Sequence, residues 1–82
     1  MKSVGEVTHY YGKIGVAIVE LSSPLKVGDA IKIVSQKSEA EQPVDSMEVD
    51  HQSVSEARKG DVVGLKVREK TSEGAKVYHV EG

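Results

Sequence analysis

The 82-residue sequence predicts an all-β fold, a small closed six-stranded antiparallel Greek-key β-barrel, and three observations carry the prediction. The apolar set is aliphatic and led by valine, with three tyrosines and no phenylalanine or tryptophan. Stiff β-branched side chains favour extended backbone. The apolar residues fall into six short runs with no helix-length period between them. Finally, one corner is spelled twice: KVGDAIKIV (26–34) returns as KGDVVGLKV (59–67). Glycine supplies the positive φ of a tight turn, and aspartate bonds the backbone just beyond it. Six short strands cannot bury an open sheet face alone, and curling into a closed barrel removes exposed edges. A chain this short makes one domain, residues 1–82.

Taken in order, Ser3 to Tyr10 and Ile14 to Leu21 read as a hairpin across Tyr11-Gly12-Lys13. IGVAIVEL is apolar on both parities, as expected for a strand covered on both faces. Ala30 to Ser35 alternates, Ile31 and Ile33 opposite Lys32. QKSEAEQ then reads as an exposed loop. Pro43 to Asp50 reads as a strand whose change of parity between Val44 and Met47 predicts a bulge. In VSEARKGD, Val54 and Ala57 stand at helical spacing, which predicts a single turn capped by Ser53. Val62 to Arg68 alternates cleanly, with Val63, Leu65 and Val67 inward. After a turn at Ser72-Glu73-Gly74, Lys76 to Glu81 forms the last strand.

The formal net charge is −2, which counts against strong unaided nucleic-acid binding. The charges are nonetheless segregated: residues 39–57 hold six acids and no Lys or Arg, whereas 58–76 hold six bases against three acids. No cysteine is present, so disulfides and thiolate metal sites are excluded. Neither a secretory block nor a membrane-length apolar run appears, and the expected compartment is the cytoplasm, away from membranes.

PLKVGDAIKIV followed by VDSMEVDHQSVSEARKGDVVGLKV resembles the second domain of elongation factor Tu-type translational GTPases. The resemblance runs from about Val4 to Val67, is clearest from Val44 onward, and is loose over KVYHV. It implies a small stand-alone elongation factor-like β-barrel that meets tRNA and the ribosome. By that resemblance, Glu48 matches the glutamate lining the pocket for the terminal adenosine of tRNA. Arg58 matches the basic residue before the second corner, and Gly60 and Asp61 match the corner itself. The family's GTPase domain has no counterpart: there is no GxxxxGK[ST] loop and nothing to hold nucleotide or magnesium. A similar barrel also ends some peptidase-like enzymes that modify RNA.

Among the residues themselves, His9-Tyr10-Tyr11-Gly12-Lys13 is the strongest binding candidate, because paired tyrosines can stack on an unpaired base while Lys13 meets a phosphate. The competing role for one tyrosine is to pack over the barrel end. Lys66 and Arg68, with Lys70 and Lys76, extend such a surface. His9, His51 and His79 lack the spacing of a metal site, and no serine sits in a nucleophile elbow. The sequence therefore predicts no enzyme, cofactor or metal. The expected function is a translation-factor-like module binding tRNA, rRNA, the ribosome or a translation-factor surface through Tyr10, Tyr11, Lys13, Glu48, Arg58, Lys66 and Arg68. The alternative is a protein-interaction barrel that docks on another polypeptide or on itself, for which the near-neutral charge and the acidic stretch speak.

Overall fold

The computed structural model describes residues 2–80 and is all-β among them. Ten strands follow in chain order: β1 (Lys2–Tyr11), β2 (Val16–Leu21), β3 (Leu25–Lys26), β4 (Ala30–Val34), β5 (Glu39–Pro43), β6 (Met47–Val49), β7 (Gln52–Val54), β8 (Glu56–Ala57), β9 (Val62–Lys66) and β10 (Lys76–His79). Eight of them form one antiparallel sheet in the order β5-β4-β10-β1-β2-β9-β6-β7, and β3 pairs with β8 in a second, two-stranded sheet. The expected closed six-stranded barrel is thus replaced by an open, curled eight-stranded sheet, since β5 and β7 end the ladder without pairing with each other. No helix is long and apolar enough to cross a membrane.

Curling starts in β1, the longest strand. Its register slips once against β10, between Ser3 and Gly5, and once against β2, between Val7 and His9. Each slip bends the strand and increases its twist. Gly5 sits at the first slip, where β1 approaches β2 so closely that a Cβ would stand 2.5 Å from the Glu20 carbonyl oxygen. The concave side is aliphatic. Ala17, Val19 and Leu21 of β2 face Val63 and Leu65 of β9, all at 3% exposure or less, while Val67 beyond β9 is also buried. Full burial of each such side chain contributes about 1.5–3 kcal/mol. The inward parity of β4 and β9 agrees with the sequence pattern.

The repeated corner is one turn used twice. The Asp29 N–H donates to the Lys26 carbonyl (3.1 Å) around Gly28, φ 97°, and the Asp61 N–H donates to the Arg58 carbonyl (3.0 Å) around Gly60, φ 92°. These are four-residue turns with glycine third, the position that requires positive φ. The aspartate carboxylates reach backward rather than forward: Asp29 accepts from the Lys26 N–H and Asp61 from the Arg58 N–H, each at 2.9 Å.

Three segments differ from expectation. Part of QKSEAEQ is strand β5, paired along its length with β4. The stretch from Pro43 to Asp50 is not one strand: Pro43 ends β5 and only Met47–Val49 forms β6, because Val44 turns aside to bond Asp29 and Gly28. Residues 52–57 form β7 and β8 rather than a helical turn, so Ser53 caps nothing and pairs across to Glu48. The last strand ends at His79; Val80 lies beyond it and donates its N–H to the Ala30 carbonyl, and the expected end at Glu81 lies outside the described residues.

What holds the open curl is Gln42, the one buried polar side chain among the described residues. Its Nε2 donates to the Lys66 carbonyl (3.0 Å) and to the Pro43 carbonyl (3.1 Å), and its Oε1 accepts from the Arg68 N–H (2.9 Å). One amide on β5 thereby grips the chain leaving β9, where no strand ladder joins them.

Two substitutions test this construction. Gln42→Leu keeps the volume but strands the Arg68 N–H and the Lys66 carbonyl, and is expected to cost about 2 kcal/mol in urea unfolding, with faster hydrogen exchange at Arg68. Gly5→Ala must move backbone and is expected to cost about 2–3 kcal/mol; an unchanged unfolding midpoint would refute the close approach.

Candidate functional site

The outer, convex face of β1, β2 and β9 carries an uncovered apolar stripe. Registered rows across it read Tyr11–Val16–Lys66, His9–Ile18–Gly64 and Glu6–Glu20–Val62. Tyr11, Ile14 and Val62 are 50%, 59% and 50% exposed, and Val16 and Ile18 are half-buried. Gly64 lies at the centre. A Cβ there would touch Val16 Cγ1 at 3.6 Å and Ile18 Cδ1 at 3.8 Å, so the missing side chain leaves a shallow notch between them. The β1–β2 tip is fixed at one end: Lys66 Nζ donates to the Ile14 carbonyl (2.8 Å), and the Val67 N–H donates to the Gly15 carbonyl (2.9 Å). These bonds hold the Ile14 side chain outward. The expectation that IGVAIVEL is covered on both faces is half met, because the fold covers only the inner one.

The residues singled out in the sequence divide among several places. Tyr10 packs against the core, while Tyr11 points outward and stacks on His9, ring centroids 6.4 Å apart. Adjacent strand residues face opposite ways, so the two tyrosines form no common platform. Tyr11, Lys13 and Lys66 lie at the β1–β2 tip, and Glu48 of β6 is registered with Gly64 on the same outer face. Arg58 stands apart, in the turn before the opposite end of β9. Arg68 is engaged in a two-pronged pair with Asp45, Nε to Oδ2 at 2.9 Å and Nη2 to Oδ1 at 2.7 Å. That bond, chiefly its hydrogen-bonded part, holds the Asp45 carboxyl below its usual range and raises the Arg68 guanidinium. Lys76 is bonded to Glu6, which raises the lysine in the same way.

The histidines are dispersed. His9 lies 3.6 Å from Glu73, His79 lies 3.5 Å from Asp29, and His51 stands in the β6–β7 turn with φ 65°. No group of three metal-ligating side chains occurs among the described residues.

The site and the fold together define a small curled-sheet β protein with one apolar convex face. No protein-family model matches the chain. Over 76 residues, 92% of its length, the chain is 40% identical to an uncharacterized protease of Methanocaldococcus jannaschii, and the match spans 19% of that protein. The chain therefore spans about a fifth of the length of this curated relative. Two crystal structures of the C-terminal domain of a putative U32 peptidase from Geobacillus thermoleovorans share the fold. The selenomethionine variant gives a TM-score of 0.90 at 17% identity over 95% of this chain and 99% of that one. The other gives 0.91 at 17% identity over 98% and 93%.

These similarities overturn the elongation-factor resemblance and, with it, the expected translation role and the binding of tRNA, rRNA or ribosome: the relatives are named for peptidases. The expectation that the protein is not an enzyme is set aside by the same finding, the relative being named a protease. The cause of the misreading is physical. A Lys-x-Gly-Asp corner and an alternating valine strand are what any curled sheet needs at such a bend, so their order reports the geometry more than the lineage.

A pH measurement isolates the Asp45–Arg68 pair. Because the folded-state pKa of Asp45 lies below its unfolded value of about 3.9, the pair stabilises the fold above that value and is lost as pH falls through the folded one. Asp45→Asn is therefore expected to be less stable than the parent at pH 7 and to approach it as the pH falls through the folded-state value of the carboxyl. A constant difference across that range would contradict the assignment.

Proposed function

We propose that this chain serves a U32-peptidase-type enzyme as its small β domain, and that the convex face of β1, β2 and β9 docks it onto the rest of that polypeptide. The observation that carries the reading is β2. Its sequence is that of a strand covered on both sides, yet only Ala17, Val19 and Leu21 are covered, and Val16 and Ile18 remain half-open around the Gly64 notch. A contiguous apolar surface of this kind marks an interaction site. The occupant follows from size: a relative 40% identical over nearly the whole chain is about five times as long, which supplies a large polypeptide neighbour beside such a domain. The resemblance in fold to a U32 peptidase C-terminal domain supports the same arrangement.

The rim of the surface suits a protein interface. Tyr11 stacked on His9 offers a rigid aromatic anchor, and Lys66 and Glu48 border the notch with opposite charges. Such a pattern, aromatic and aliphatic at the centre and mixed charge around it, is the usual anatomy of an interface between proteins.

Gly64 provides a clean test. A side chain fits there in ordinary contact and the backbone is unstrained, so Gly64→Thr is expected to leave folding intact or slightly improved while filling the notch. Titration calorimetry with the M. jannaschii relative lacking its matching 76 residues, shown folded by circular dichroism, is expected to give saturable binding that Gly64→Thr and Ile14→Ser each weaken by about tenfold or more. If that body does not fold alone, this chain replaces the matching segment, and limited proteolysis at the junction is the readout, slow for the parent and fast for the two variants. Absence of binding to a folded body, or equal behaviour of parent and variants, would overturn the reading.

A further inference from the structure

The connection from β1 to β2, residues 12–15, reads Gly-Lys-Ile-Gly and carries Ile14, the most exposed large apolar side chain among the described residues at 59%. A four-residue connection with glycine at both ends gains little rigidity from its own chain, because glycine restricts the backbone least. Its internal bond is long, Ile14 N–H to the Tyr11 carbonyl at 3.3 Å. The firm bonds come from the neighbouring strand. The Val67 N–H holds the Gly15 carbonyl at 2.9 Å, and Lys66 Nζ holds the Ile14 carbonyl at 2.8 Å.

The direction taken by Lys66 is informative. Glu48 is registered with Gly64, so it sits diagonally from Lys66 on the same outer face, yet no ion pair joins the two. The lysine lies over the tip instead. A Cβ on Gly15, where φ is 66°, would stand 3.6 Å from Nζ and 3.9 Å from Cε. The ammonium thus gives a charge-assisted bond to a backbone carbonyl, the strongest bond this tip receives. Its effect is to fix an isoleucine in a pose that water disfavours. A rigid apolar projection suits a pocket: interface anchors seat in desolvated hollows, and a side chain already held in place loses less entropy on entering one.

We propose that Lys66 is a positioning residue, which holds Ile14 as a knob for an apolar pocket on the remainder of the polypeptide and makes no ion pair with that partner. The proposal rests on the docking of the convex face. It adds the shape of the partner, a hollow sized for a branched aliphatic side chain, and it gives the lysine a role exerted through the backbone rather than through its charge.

The docking titration described above, run with further variants, tests both parts. Lys66→Met keeps the aliphatic stem without the donor and is expected to weaken binding about fivefold, whereas Lys66→Arg, which keeps a donor, stays within about twofold of the parent. In the free chain, Lys66→Met is expected to speed amide exchange around Ile14 and Gly15 and nowhere in β4 or β10. On an Ile14→Ser background Lys66→Met is expected to add nothing, since its effect passes through that side chain. Ile14→Trp, more apolar but too large for the hollow, is expected to bind more weakly than the parent. If the body does not fold alone, the same variants are read by proteolysis at the junction of the exchanged chain. Parental affinity of Lys66→Met, a loss that persists on the Ile14→Ser background, or tighter binding by Ile14→Trp would each overturn the inference while leaving docking in place. No binding by the parent, or no effect of Gly64→Thr, would instead remove the docking itself and this inference with it.

Discussion

The amide of Gln42 is the constraint on which the rest of the architecture depends. A sheet of eight strands with a valine-rich concave side must keep its two ends near each other, or the core opens to water. A ladder between the ends would do this with backbone alone, but β5 and β7 have no such ladder. The side chain of Gln42 ties β5 instead to the chain leaving β9, two strands in from β7, offering a donor and an acceptor from one planar group to a carbonyl and an N–H two residues apart. The Arg68–Asp45 pair reinforces the same seam from the solvent side. Buried polar groups that are fully satisfied specify a unique arrangement as well as stabilise it, and here the arrangement specified is the degree of curl.

Much of the inner layer was legible because strand parity is a strict code. Val63, Leu65 and Val67, like Ile31 and Ile33, alternate with charged or half-exposed neighbours and are all buried. The misplaced elements fail for identifiable reasons. β5 reads EAEQP, polar at three of its five positions and without a large apolar residue, because it ends the sheet and turns one face to solvent; its one deeply buried residue is a glutamine, which a hydrophobic pattern cannot flag. Val54 and Ala57 stand three apart, the spacing of a helix, but they belong to two different short strands separated by Ser55. Closure was inferred from the general need to bury edges, yet β5 and β7 remain as open ends of the sheet.

The functional surfaces were less legible than the core. The apolar outer parity of β2 was visible in the sequence as a two-sided strand, and it pointed to a cover that the fold itself does not provide. Tyr10 and Tyr11, adjacent and aromatic, drew attention as a pair, yet the pleat sends one to the core and the other to solvent.

The strand that ends the sheet at β5 presents Glu39, Glu41 and Pro43 to solvent. Two copies meeting rim to rim along it would set like charges against each other and would find no N–H at the proline. That rim of the sheet is thereby guarded against polymerisation through its own strand edge.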